Sequence, residues 1–151
     1  MIFKSFSALG KHLQEKVDTV LEKDVAPEVE RMLLESIDEQ VYDAYTPITY
    51  ERRGATGGLG DPANIQSEVD DGCLTVKNIA VPNQSLSEPP TAYVTNDPTT
   101  FGAWIERGQV PNIFGAQDGP WLHPRPFVAV TEEKLRRSGI ITDKLVQKLN
   151  Q

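Results

Sequence analysis

The feature that most limits the fold of this chain is an apolar residue at nearly every fourth position of its first third. The series begins at Leu9 and ends at Val41. A period close to 3.6 residues predicts an amphipathic helix. Pro27 interrupts the series, and proline is tolerated in the first turn of a helix but not in its interior. We therefore predict two helices or one kinked helix, over about residues 7–23 and 27–44.

The apolar pattern changes after residue 65, where short segments flank turn residues. Residues 66–70 and 73–81 lie on either side of Asp71-Gly72, which is a strong hairpin signal. Residues 91–95 predict one more short strand. This part of the chain therefore indicates a small, mainly antiparallel sheet.

Helices are predicted again towards the C-terminus. Residues 100–107 form a short helix that ends at a glycine. Residues 127–130 are an apolar run that predicts a strand, and Thr131 is the predicted N-cap of the helix that follows. Gly139 ends that helix, and Thr142 begins the last one.

These elements predict an α+β fold, in which a long or kinked N-terminal helix pair packs on a small, mainly antiparallel sheet and a C-terminal helix follows. A length of 151 residues suits a single domain. Its predicted parts are the helical residues 1–45, a β-rich part at 46–130 and C-terminal helices at 131–151. The chain has eleven prolines and eleven glycines, which indicate long connections. We expect loops 82–90 and 108–123 to be mobile before assembly.

Charge and composition exclude several classes of protein. The net charge is −7, with −5 over residues 1–50, −4 over 51–100 and +2 over 101–151. An acidic chain is poorly suited to wrapping nucleic acid, because affinity there depends on neutralising phosphates. A single cysteine gives no disulfide framework. No segment is long and apolar enough to predict a signal peptide or a membrane span.

Residue types that carry chemistry are few. His12 and His123 lie far apart, and no clustered cysteine or carboxylate spacing accompanies them, so we predict no metal site and no cofactor. We expect Cys73 to be a small buried residue on a strand. His123 is expected to pack or hydrogen-bond in a loop, with a catalytic role as the alternative. The sequence therefore predicts a protein that is not an enzyme.

Residues 41–65 join the helical part to the β-rich part and concentrate residue types that are common in protein interfaces. Tyrosine and arginine are frequent interface anchors, and glycine allows close approach of two backbones. The alternative is a helix end and a glycine-rich connection with solvated arginines. The predicted protein-interaction residues are Tyr50, Arg52, Arg53, Gly58 and Leu59, with Phe114 and Trp121 from a later loop.

Three short motifs follow the long helix in a characteristic order. They are Gly57-Gly58-Leu59, residues 101–108 (FGAWIERG) and residues 124–127 (PRPF). In this order they resemble the tail-completion, or head–tail joining, proteins of long-tailed bacteriophages and prophage elements. The segment 50–53 is similar to a Gram-positive phage variant. The sequence after the leucine departs from the commoner form, Thr-Gly-x-Leu followed by Arg and Ser.

The resemblance implies a structural virion protein of the phage neck or tail end, assembled in the cytoplasm of the bacterial host. It implies a homo-oligomeric ring, commonly six-fold, between the head connector and the tail tube or terminator proteins. It also implies a strand that begins at Phe127. DNA would pass through the ring without specific binding. We expect Arg52 and Arg53 to contact carboxylates of a neighbour, such as those of residues 28–43 in the next copy.

Two other functions remain open at this point. One is a small cytoplasmic enzyme or nucleic-acid-processing factor that uses Arg52, Arg53 and His123. The other is a regulatory module whose first helices hold a partner helix. The acidic balance and the missing catalytic cluster favour the structural protein over both.

Overall fold

The structure of the protein is a computed structural model. It describes residues 5–44, 46, 54, 56–81, 98–108 and 123–150. Within those residues, helices and one antiparallel hairpin form a mixed α and β structure, in agreement with the predicted α+β class.

The chain begins with one long helix over residues 6–42. Helix α1 (Phe6–Val20) continues through a π-helical turn (Leu21–Val25) into α2 (Ala26–Ile37), and a second π-helical turn (Asp38–Tyr42) ends it. The backbone angles at the junctions stay in the right-handed helical region. Of the two alternatives predicted from the sequence, the structure has the single helix.

The first π turn explains how the helix passes Pro27 without ending. Pro27 lacks a backbone N–H, so it cannot form the ordinary helical bond to the carbonyl four residues earlier. The residue before it, Ala26, donates its backbone N–H to the carbonyl of Leu21, five residues earlier, which is the bond of a π turn. Pro27 therefore falls in the first turn of α2, where its missing donor is tolerated.

The predicted hairpin is confirmed. Strands β1 (Ile65–Asp70) and β2 (Cys73–Asn78) pair antiparallel. Asp71 and Gly72 have positive φ angles of 46° and 75°, which is the backbone of a type I′ turn.

The expected burial of Cys73 is wrong. Its side chain is exposed, and β2 alternates between exposed and half-buried positions from Cys73 onwards. Since successive side chains of a strand point to opposite faces, Cys73 lies on the outer face of the hairpin together with Thr75 and Lys77.

The predicted third helix is confirmed as α3 (Pro98–Arg107), followed by Gly108 at a φ of 65°. The strand predicted at residues 127–130 is wrong, because these residues begin helix α4 (Phe127–Ser138). The strand start that the family resemblance implied at Phe127 is wrong for the same reason. Thr131 is also not an N-cap: it is buried inside α4, and its Oγ1 donates to the carbonyl of Phe127 at 2.7 Å.

Gly139 separates α4 from the last helix, as predicted, with a left-handed φ of 64°. Helix α5 (Ile140–Leu149) begins directly after it. Thr142 is therefore a residue inside α5 and not its first. The strand predicted at 91–95 lies outside the described residues, as do loop 82–90 and nearly all of loop 108–123.

The hairpin and the C-terminal helices pack along the long helix and form two buried clusters. The motif core, near the end of the helix, consists of Leu33, Ile37, Leu59, Ala80 and Phe127. The tip core, near the tip of the hairpin, consists of Val20, Leu21 and Val25. Helix α4 packs on α2, and α5 packs on α1 and the first π turn.

Candidate interaction site

The glycine-rich end of the predicted interaction segment is described in the structure, and it is buried in the chain's own fold. Leu59 is only 3% exposed and belongs to the motif core, and Gly58 is buried beside it. Contact of these two residues with another protein stays a prediction. Five other predicted interaction residues lie outside the described residues, namely Tyr50, Arg52, Arg53, Phe114 and Trp121.

The turn around Leu59 packs directly against Tyr42 at the end of the long helix. The backbone N–H of Gly60 donates to the Tyr42 hydroxyl at 3.1 Å. A Cβ atom added at Gly58 would lie 2.6 Å from the carbonyl oxygen of Gly54 and 2.9 Å from the Tyr42 hydroxyl. These positions require glycine because no space is left for a side chain.

Asp61 stabilises the same turn through its carboxylate. One oxygen accepts a hydrogen bond from the backbone N–H of Gly57 at 2.6 Å, and the other accepts from Ala63 at 2.9 Å. These two bonds favour the ionised form and lower the pKa of Asp61 below its ordinary value. Asp61 is also the N-cap of a 3-10 turn (Pro62–Asn64) that leads into β1.

Two asparagines connect the turn to the base of the hairpin. The Asn64 side-chain amide donates to the carbonyl of Gly58 at 2.8 Å, and the Asn78 amide donates to the carbonyl of Leu59 at 2.7 Å. The Asn78 side-chain oxygen also accepts from the backbone N–H of Ala80 at 2.9 Å. Two carbonyls of the turn are therefore paired by side chains, in keeping with the need of buried backbone groups for partners.

Arg125 joins the end of the long helix to the C-terminal helices. Its side chain is buried, and its Nη1 donates to the carbonyl of Val41 at 2.7 Å. Its backbone N–H lies 3.2 Å from the carbonyls of both Ile105 and Glu106 in α3. The last carbonyls of a helix lack partners within the helix, and here a buried guanidinium supplies one.

Glu106 caps the start of α4 from outside that helix. Its carboxylate accepts hydrogen bonds from the backbone N–H groups of Val128 at 2.9 Å and Ala129 at 3.3 Å. Free N–H groups and the positive end of the helix dipole both favour a carboxylate at this place. The cap explains why residues 127–130 are helical although their short apolar run suits a strand equally well.

The three motifs that suggested a family therefore meet in one place. Leu59 comes from the first motif, Ile105 and Glu106 come from the second, and Arg125 and Phe127 come from the third. Leu59 and Phe127 are core members, and Ile105 packs against them. The order of motifs in the sequence corresponds to one structural unit around the end of the long helix.

The outer side of this unit is acidic. Glu35, Asp38 and Glu39 are exposed on the helix. Partial burial, followed by the nearby charge of Asp43, raises the pKa of Asp38 above its ordinary value. Lys134 of α4 contacts both carboxylate oxygens of Glu39, at 2.8 and 2.9 Å.

Among the described residues, no group of three or more His, Cys, Asp or Glu side chains could hold a metal ion. His123 is exposed at the start of residues 123–126. No helix of the described part combines the length and the apolar character needed to cross a membrane.

Several residues that build this site were not predicted from the sequence. Tyr42, Asn64, Asn78, Glu106 and Arg125 all act through partners distant in the chain, and no local pattern marks such pairs. Asp61 followed by Pro62 does carry a local signal, since Asp before a proline is a typical start of a helical turn.

Comparison with known proteins identifies a family. The family model of YomN matches residues 5–151, so the chain belongs to the YomN family. YomN is a prophage-derived family of Bacillus, which is consistent with a phage origin. Neither a curated protein nor a solved structure matches the chain significantly.

Proposed function

We propose that this member of the YomN family is a structural protein of the phage particle, without enzymatic activity. It forms a ring in the neck or at the tail end, which joins the head connector to the tail tube and lets DNA pass. The observation that carries the proposal is that the three motifs resembling those of tail-completion proteins form one structural unit in a prophage-derived chain.

The geometry of the motif core supports a contact role for residues 47–53. The helix before this segment ends at Tyr42, and Gly54 follows the segment. The Tyr42 hydroxyl and the Gly54 carbonyl both lie against Gly58. The described residues Tyr42, before the segment, and Gly54, directly after it, therefore meet at one base, and a fixed base is what a precise contact requires.

In this proposal Arg52 and Arg53 contact carboxylates of a neighbouring subunit. A guanidinium can donate two parallel hydrogen bonds to one carboxylate, which fixes orientation as well as adding binding energy. The net charge of −7 also suits a channel, because an acidic ring repels the duplex and does not hold its phosphates.

The test compares two pairs of arginines in a lysogen that carries the gene. The double variant Arg52→Ala/Arg53→Ala is expected to yield separate heads and tails in negative-stain images. Loss of a desolvated, hydrogen-bonded charge costs about 2–5 kcal/mol of binding, and a ring repeats this loss at every interface. The matched control is Arg136→Ala/Arg137→Ala, since both arginines are exposed and, among the described residues, form ion pairs only with Glu133 of their own helix. It should give a wild-type titre.

The possible outcomes distinguish a failure of the proposed function from a failure of the role given to Arg52 and Arg53. Joined, infectious particles after deletion of the gene would overturn the proposed function. Normal particles from Arg52→Ala/Arg53→Ala alone would overturn only the role of this pair. A collapse of the melting temperature of that variant would assign the two arginines to the chain's own fold.

A further inference from the structure

The hairpin has a free edge along β1. In an antiparallel pair the residues alternate between hydrogen-bonded and non-bonded pairs, and Asp70–Cys73 closes the two-residue turn as a bonded pair. Ser67 and Val69 therefore direct their backbone N–H and C=O groups away from β2. The bond from the Ile79 N–H to the Asn64 carbonyl, at 2.7 Å, continues the same alternation.

No bond from another described residue to these outward backbone groups of Ser67 and Val69 is present. Such an unpaired edge is a template for a strand of another chain. It opens on a groove of about 360 Å³ between the hairpin and the long helix. The groove is lined by Asp18, Thr19, Glu22, Ser67, Glu68 and Val69.

The groove is acidic. Three of its lining residues, Asp18, Glu22 and Glu68, carry carboxylates. In the described part of the chain, none of them forms an ion pair with a lysine or arginine. Like charges oppose the pairing of two β1 edges with each other, whereas a strand with arginines gains from the same carboxylates.

We propose that this groove binds residues 48–53 of a second copy of the chain as an added strand. The inference rests on the proposed ring and names the surface that its arginines contact. The segment reads Ile-Thr-Tyr-Glu-Arg-Arg, and its first three residues are types that favour strands. Arg52 and Arg53 then bond to the carboxylates of the groove, and not to those of residues 28–43.

In the proposed ring the strand that pairs with this edge comes from a neighbouring copy. Each copy then offers its groove to one neighbour and residues 48–53 to the other, which is the head-to-tail contact that closes a ring.

The test uses a synthetic peptide of residues 46–54 and, as receptor, the full chain carrying Arg52→Ala/Arg53→Ala so that its own segment does not compete. Backbone NMR shifts should appear at Ser67, Glu68 and Val69 of the receptor. A peptide with both arginines replaced by alanine should bind roughly tenfold more weakly or worse, because it loses two charged contacts. A peptide N-methylated at alternate amides should also bind more weakly, because it cannot pair with β1.

Receptor variants complete the design. Glu22→Gln/Glu68→Gln should weaken binding, whereas Glu132→Gln/Asp143→Gln, which changes exposed carboxylates on α4 and α5, should not. Shifts confined to residues 28–43, or equal binding of the N-methylated peptide, would overturn the inference. If the peptide does not bind while the gene remains necessary for joining, the inference fails and the proposed function stands. If the peptide binds while deletion of the gene leaves head–tail joining intact, the binding of residues 48–53 to the groove stands and the proposed function fails.

Discussion

Two regions of the molecule are stabilised in different ways: the motif end, at the C-terminal end of the long helix, and the tip end, where the hairpin tip packs near the middle of that helix. At the end that carries the motif core, buried apolar residues are joined by polar side chains that bond to backbone groups far away in the chain, as Arg125 does to Val41 and Asn78 to Leu59. At the hairpin tip, the tip core is small and its polar contacts lie on the surface, such as the ion pair between Lys148 and Asp24.

The two ends also differ in what they leave exposed. The start of the long helix and the last helix expose large apolar side chains, among them Phe6 at 93% and Val146 at 55%. Both cores are enclosed, with Leu59 at 3% in the motif core and Val25 at 1% in the tip core. Among the described residues, however, fewer large apolar side chains are exposed around the motif core, namely Val81 and Val128. We infer that the motif core fixes the geometry of the chain and that the tip end tolerates change, and four predictions test this difference.

The largest expected effect is that of Phe127→Ala. Phe127 is 2% exposed in the motif core, and truncation of a buried phenylalanine costs about 3–5 kcal/mol of folding free energy. Urea unfolding followed by circular dichroism measures it. Val128→Ala, at a neighbouring position that is 43% exposed, is the matched control and should cost far less. If Leu21→Ala in the tip core destabilised the chain more than Phe127→Ala, the ranking of the two ends would be reversed.

The next effect is that of Arg125→Met, which keeps the aliphatic part of the side chain and removes the guanidinium. Loss of a buried hydrogen-bond partner costs about 1–3 kcal/mol, and here the carbonyl of Val41 loses its bond to Nη1. Hydrogen exchange should also become faster at the end of the long helix. Unchanged stability and unchanged exchange would show that this link contributes nothing.

Two glycine substitutions at the tip end are expected to change the folding stability in opposite directions. Gly72→Ala is expected to destabilise the chain by about 1–2 kcal/mol, because a φ of 75° is unfavourable for a residue with a Cβ. Gly10→Ala is the counterpart, since Gly10 lies inside α1 with open space around it. It should stabilise the chain by about 0.5–1 kcal/mol. If both variants shifted the melting temperature in the same direction, the turn assigned at Asp71-Gly72 would be contradicted.

The smallest effect concerns pH. The folded-state pKa of Asp61 is lowered below its ordinary 3.8, so ionised Asp61 stabilises the fold above about pH 4, and this contribution is lost as pH falls through the folded pKa. Asp61→Asn should therefore lower the melting temperature near neutral pH and lower it less in acid.

Asp38→Asn is the matched control for this pH dependence. Burial raises the pKa of Asp38 in the folded state, so its ionised form is unfavourable there. The variant should gain melting temperature near neutral pH and lose that gain in acid. A destabilisation by Asp61→Asn that grows as the pH falls would contradict the assigned hydrogen bonds.

The success of the sequence predictions depends on whether the signal for an element is local in the chain. Local patterns indicate the long helix, the hairpin at Asp71-Gly72 and the break at Gly139, and all three are confirmed. Residues 127–130 were assigned wrongly because a short apolar run is compatible with a strand or a buried helix. Glu106, which decides between them, lies about twenty residues earlier.

The candidate site was predictable only in part for the same reason. Tyrosines, arginines and glycines marked residues 41–65, but burial of Leu59 depends on Tyr42, on Asn78 and on the C-terminal helices together. Exposure of Cys73 likewise follows from the register of the hairpin, which residue type alone does not determine.

The most direct test of the central claim is to count this chain in purified, nuclease-treated particles from an induced lysogen by quantitative mass spectrometry. We expect it to copurify with joined particles in a small fixed number per particle, as a single closed ring requires, and six is the number that the family resemblance implies. Absence of the chain from intact particles, with all of it recovered in the soluble lysate, would contradict a structural role in the virion.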